Sequence, residues 1–185
     1  VVTCALPYAN GEIHLGHVTS TYLPADIFVR FCRLSGVEVV FACATDDFGT
    51  PIMIAAEQEG RSPDRFVAHW NQRDLEDFTS LGVNFDIFDR TSSKENVELT
   101  QYFFTKLHKT GYVYEKEILQ PYCPNCQKFL PDRYVKGACP YCGAVDQYSD
   151  GCEKCGKAFQ PGEIINPHCA ICGSKPENRN SKHFF

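Results

Sequence analysis

Four C-x-x-C pairs crowded into one stretch constrain this chain more than any other feature. They are Cys123/Cys126, Cys139/Cys142, Cys152/Cys155 and Cys169/Cys172, separated by loops of twelve, nine and thirteen residues. Three of the pairs are followed directly by glycine, at Gly143, Gly156 and Gly173. Such a glycine suits a tight left-handed turn in which backbone N–H groups face a thiolate sulfur. Pro124 and Pro140 stiffen the turns they stand in. Eight thiolates in this arrangement match two tetrahedral Cys4 zinc sites with no open coordination position, so the metal is expected to be structural. Disulfides and an iron–sulfur cluster are the alternatives, but a secreted disulfide scaffold spreads its cysteines more evenly. Spacing alone leaves open which pairs share an ion.

A structural zinc contributes about 10–16 kcal/mol in small peptides. So few apolar residues stand between 120 and 175 that metal rather than a hydrophobic core is expected to hold that region together. The remaining cysteines, Cys4, Cys32 and Cys43, lie upstream in apolar surroundings. Clustered ligand pairs fit a reducing compartment, and we expect a cytoplasmic protein.

The chain has 185 residues, of which 43% are hydrophobic and 22% charged, which excludes disorder as its general state. No apolar run approaches the ~20 residues a membrane span requires, and no secretory signal stands at the start. The net charge of −5 argues that any RNA contact is local or lies elsewhere. The strand-like opening without Met, and the strand-like close at Phe184-Phe185, lead us to expect a piece of a longer protein, with a new strand starting at its end.

Val1 to Leu6 reads as a buried strand that Pro7 ends. Tyr8-Ala9-Asn10-Gly11 is turn chemistry, and a helix is expected from about His14 to Leu34, kinked or broken at Pro24. Val37 to Ala44 is a second strand. Strand, helix, strand at this length is a βαβ unit and hence a parallel sheet. Helices follow at Pro51–Glu59 and from Ser62-Pro63 to about Leu81, then a strand at 85–90. Ser92 and Glu95 read as a capping box for a helix that ends before Gly111. Tyr112 to Tyr122 is strand-like again. Composition shifts near residue 115, which predicts two domains, 1–115 and 116–185.

The turn between the first strand and the first helix carries the chemistry. A helix start presents unpaired N–H groups and a partial positive charge that attract phosphate. His14 and His17, three apart, share one helical face, and Gly16 between them leaves room for a flat ring. A histidine pair alone is more often incidental, or a metal pair. Its setting, Ala5-Leu6-Pro7-Tyr8-Ala9-Asn10-Gly11-Glu12-Ile13-His14-Leu15-Gly16-His17, argues otherwise. The last four residues resemble the His-Ile-Gly-His signature of class I aminoacyl-tRNA synthetases, and the whole string resembles the methionine branch. Ala44-Thr45-Asp46-Asp47-Phe48-Gly49-Thr50-Pro51-Ile52 is similar to the segment after that family's second strand.

The resemblance implies an α/β fold: the first half of a Rossmann-like (HUP-type) parallel sheet, with an inserted domain of two zinc knuckles. It implies that Ala5, Leu6 and Tyr8 line a methionine pocket and that Asp46 holds the substrate ammonium. It gives His14 and His17 the catalytic task of stabilising charge on the ATP α-phosphate, with Gly16 admitting adenine. Mg²⁺ is expected with ATP, and tRNA(Met) as acceptor. For the cysteines it favours nesting: Cys139, Cys142, Cys152 and Cys155 on one zinc, and Cys123, Cys126, Cys169 and Cys172 on the other. Asp46 and Asp47 read without the resemblance are turn caps. The family's Lys-Met-Ser-Lys-Ser-like loop is absent from these residues, so the piece alone is expected to be inactive. The rivals are a synthetase for another amino acid such as isoleucine, a nucleotidyltransferase sharing the histidine turn, and a zinc-ribbon binding module without catalysis.

Overall fold

The computed structural model describes residues 1–160 and 162–185. The chain forms two compact units, residues 1–103 and 104–185. No helix among the described residues is long and apolar enough to cross a membrane.

The first unit is α/β. Its strands β1 (Val2–Thr3), β2 (Phe41–Thr45) and β3 (Ile87–Arg90) form a parallel sheet in the order β1-β2-β3. Parallel neighbours require crossovers, and helices supply them. Between β1 and β2 the backbone is helical from α1 (Leu15–His17) through a π-helical segment (Val18–Tyr22) into α2 (Leu23–Leu34). The break expected at Pro24 is instead a widened turn placed just ahead of the proline. Proline has no N–H for the carbonyl a turn earlier, and π geometry moves that mismatch to the end of the segment. Helices α3 (Thr50–Gln58) and α4 (Pro63–Ser80) join β2 to β3.

Alternation along β2 buries Phe41, Cys43 and Thr45. Phe41 and Cys43 pack with Tyr22, Val29, Phe78 and Val83 into one core. A second core joins Ala9, Ile52, Ala56, Phe66 and Val67, with Tyr8 against it. Ala9, fully buried, therefore pins the turn after β1 to α3 and α4.

The capping box expected at Ser92 does not form. Helix α5 (Lys94–Lys109) starts one residue later than that box requires: Ser93 Oγ accepts from Asn96 N–H at 3.4 Å, and the Ser92 hydroxyl is engaged by Asp47.

The second unit is built on a long antiparallel pair, β4 (Glu115–Cys123) with β9 (Glu177–Phe184), in register from Glu115↔Phe184 to Tyr122↔Glu177. Phe184-Phe185 thus continues a strand begun at Glu177 and does not open one, since Phe185 and Tyr114 also exchange both backbone hydrogen bonds. Short β5 (Lys128–Phe129) flanks β4, and β6 (Val135–Ala138) lies between β7 (Gln147–Tyr148) and β8 (Ile165–Cys169).

Candidate active-site turn and cysteine knuckles

Beyond β1 the chain leaves the sheet but stays zipped to the end of β2. Asp46 N–H donates to Pro7 O at 2.8 Å, and Ala9 N–H donates to Asp46 O at 3.0 Å. Tyr8 and Asp46 are thereby bridged as parallel partners. Of the predicted pocket residues, Tyr8 thus meets the predicted carboxylate residue just beyond the ends of two parallel strands, the side on which open α/β sheets bind ligands. Ala5 and Leu6 are exposed, and Tyr8 is half-buried. Asp46 is also half-buried, and one carboxylate oxygen accepts from Phe48 N–H at 3.3 Å.

His14 is the N-cap of α1, with extended backbone. Its Nδ1 accepts from Gly16 N–H at 3.1 Å, and its own N–H donates to His17 Nδ1 at 3.3 Å. The imidazoles stack, with centroids 3.7 Å apart and planes at 17°. Each Nδ1 is an acceptor, so the neutral rings carry their proton on Nε2, and both Nε2–H groups remain to donate to an anion. The two histidines form a capping box of their own, with imidazole nitrogens in the places usually taken by hydroxyl and carboxylate oxygens. Sequence reasoning found the residues and missed this arrangement, for which H-x-x-H spacing at a helix start was the available signal. A Cβ at Gly16 would lie 3.0 Å from the His14 ring, so the glycine also makes room for the cap. The groove beside His14 is lined by Ile13, Leu15, Val18, Asp77, Ser80 and Leu81. Asp46 is not among those residues; what ties it to this region is the backbone zipper at Tyr8 and Ala9.

The eight paired thiols gather into two groups. Cys123, Cys126, Cys169 and Cys172 form one, and Cys139, Cys142, Cys152 and Cys155 the other; within each, every sulfur lies within 4.8 Å of the rest. Tetrahedral zinc with Zn–S of about 2.3 Å sets S···S edges of about 3.8 Å. The separations are 3.5 Å for Cys123–Cys172, 3.9 Å for Cys126–Cys169, 3.8 Å for Cys139–Cys155 and 3.6 Å for Cys142–Cys152. The donor set and its size fit zinc. Backbone N–H groups of Cys126, Tyr141 and Cys155 face thiol sulfurs at 3.3–3.4 Å. The expected left-handed turns are present at Gly143, Gly156 and Gly173, with φ of 71°, 72° and 72°. The first pair makes the same turn with Gln127, at φ 53°.

The sequence profile of the family described as tRNA synthetases class I (M) matches residues 1–185. The chain belongs to this family. The methionine–tRNA ligase of Methanocaldococcus jannaschii is 50% identical over 185 residues, covering all of this chain and 28% of that protein. The methionine–tRNA ligase of Xanthomonas campestris pv. campestris (strain B100) is 49% identical over 185 residues, again covering all of this chain and 26% of the relative. The chain therefore spans about a quarter of the length of these synthetases. Among solved structures, Mycobacterium tuberculosis methionyl-tRNA synthetase bound by methionyl-adenylate aligns at TM-score 0.65 and 19% identity, over 99% of this chain and 31% of that one. LeuRS of Agrobacterium radiobacter, in a ternary complex with tRNA and LeuAMS, aligns at TM-score 0.63 and 21% identity, over all of this chain and 20% of that one. At that identity the structures establish the shared synthetase fold.

Proposed function

We propose that the chain is the N-terminal part of a cytoplasmic methionine–tRNA ligase: residues 1–115 begin the Rossmann-like catalytic domain, and 116–185 are a connective insertion with two structural zinc knuckles. The observation that carries the reading is the joining of Tyr8 and Ala9 to Asp46 at the strand ends, in a chain half identical to methionine–tRNA ligases along its whole length.

In this reading Ala5, Leu6 and Tyr8 border the methionine side chain, and the Asp46 carboxylate pairs with the α-ammonium. The methionine carboxylate attacks the α-phosphorus of ATP, and pyrophosphate leaves; Mg²⁺ bound with ATP would offset the charge on the phosphates. The Nε2–H groups of His14 and His17 donate to the α-phosphate oxygens as charge builds there, and Gly16 admits the adenine. The methionyl group then passes from the adenylate to the terminal ribose of tRNA(Met). Catalysis is positioning and charge stabilisation, so no side chain is required as a nucleophile. The two Cys4 groups would hold zinc in closed sites that stabilise the knuckle region, and with no open ligand position the metal would be structural.

ATP–pyrophosphate exchange by the full-length protein, run across a panel of amino acids, tests the proposal. Methionine-dependent exchange abolished by His14→Ala is expected; exchange driven by isoleucine alone would overturn it. Residues 1–185 by themselves are expected to show no exchange.

A further inference from the structure

Two carboxylates stand side by side at the end of β2, and the fold treats them in opposite ways. Asp46 is half-buried at the strand ends, while Asp47 is 6% exposed and enclosed. Asp47 Oδ1 accepts from the Thr45 hydroxyl at 2.7 Å, and Oδ2 accepts from the Ser92 hydroxyl at 2.5 Å. Its N–H donates to Thr91 Oγ1 at 2.9 Å. The Thr45 hydroxyl, having donated to Asp47, accepts from Asn71 Nδ2 at 3.0 Å, and the same amide nitrogen donates to Asp89 O at 2.8 Å. The hydroxyls of Thr45 and Ser92 both donate to the Asp47 carboxylate, and Asn71 orients the Thr45 hydroxyl by donating to its oxygen. The network draws together β2, α4, and the junction of β3 with α5.

Asp46 therefore sits between two anchors. Its own N–H and C=O are tied to Pro7 and Ala9, and the next residue is tied to Thr91 and Ser92. Each Asp47 oxygen already accepts a hydroxyl and the side chain is enclosed, whereas Asp46 is half-buried with one oxygen on Phe48 N–H.

We infer that Asp47 is a positioning residue that sets the direction of the Asp46 carboxylate toward the substrate ammonium, acting through the Thr45–Ser92 network rather than by touching substrate. This rests on the methionine-activating reading above. Displacing a binding group by about 1 Å costs on the order of 10²-fold. Loss of the Asp47 acceptor is therefore read at the amino-acid site and not at the nucleotide site.

The test uses the full-length protein and its ATP–pyrophosphate exchange. Asp47→Asn replaces one accepting oxygen by a donor against a hydroxyl, and is expected to raise the methionine KM at least tenfold with the ATP KM within twofold. Ser92→Ala removes one of the two hydroxyls and is expected to raise the methionine KM about threefold. In an Asp46→Asn background Ser92→Ala is expected to add nothing, because its effect passes through Asp46; this is the outcome a merely structural role would not produce. If Asp47→Asn does not fold, Ser92→Ala alone and in the Asp46→Asn background decides the matter. Equal shifts in both KM values, an unchanged methionine KM, or effects of Ser92→Ala and Asp46→Asn that multiply would each overturn the inference while leaving the functional reading standing. A parent protein without methionine-dependent exchange overturns both.

Discussion

The phenol oxygen of Tyr8 occupies the space into which a side chain at position 49 would grow: a Cβ built on Gly49 would sit 2.5 Å from it. Gly49 also has φ of 122°, a backbone conformation open in practice to glycine alone. The loop after β2 can close over Tyr8 only because that residue lacks a Cβ. Gly49→Ala is therefore expected to cost about 1–3 kcal/mol through strain and overpacking together. It should also weaken methionine binding, since Tyr8 must move. Urea unfolding and methionine titration of the full-length variant check both effects.

The cysteine groupings predict metal content. The double variant Cys123→Ser/Cys169→Ser removes two ligands from one group and none from the other. It is expected to retain one zinc per chain where the parent holds two, as read by metal analysis. Sequential pairing of neighbouring C-x-x-C pairs would instead lose both ions. Chelation of the parent should unfold the knuckle region, because closed thiolate sites contribute about 10–16 kcal/mol to small domains of this kind.

Gln127 makes the left-handed turn that glycine makes in the other three knuckles. A non-glycine residue there pays a steric penalty that Gly avoids, offset in part by glycine's greater freedom in the unfolded chain. Gln127→Gly is expected to stabilise the zinc-bound protein by about 0.5–1 kcal/mol. Denaturation midpoints with and without the substitution measure it.

Asp74, on α4, is fully buried, and neither carboxylate oxygen has a hydrogen-bond partner. Burial, and then the nearby Asp77 charge, push its carboxyl up from 3.8 to about 7. Between those values the unfolded chain has lost the proton that the folded chain keeps. Stability contributed at this site therefore falls as pH rises from about 4 to about 7 and is level above that. Asp74→Asn is expected to remove this slope. The difference in urea midpoint between parent and variant, followed from pH 5 to pH 8, should grow in favour of the variant as pH rises.

Much of the first unit was legible from local pattern. Apolar runs marked β1 and β2, and Ser62-Pro63 marked the start of α4, although the Ser62 side chain makes no capping hydrogen bond. Other features were hidden. Strand β9, Glu-Asn-Arg-Asn-Ser-Lys-His-Phe, is polar and largely exposed, so no apolar alternation announced it. Ser92 had the right neighbours for a cap, but a buried carboxylate 45 positions earlier in the chain competed for its hydroxyl and won.

By itself the amino-acid order determined what depends on short range: an opening strand, though β1 stops at Thr3 and not at Pro7, histidines at a helix start, and cysteine knuckles closed by glycine. These follow from dihedral preference and from spacing within a few residues. The tertiary structure alone decided which distant groups meet. It gathered thiols 49 residues apart into one cluster and separated the fates of Asp46 and Asp47. Such outcomes depend on strand register and on which side chain reaches a buried acceptor first, and neither is written in local spacing.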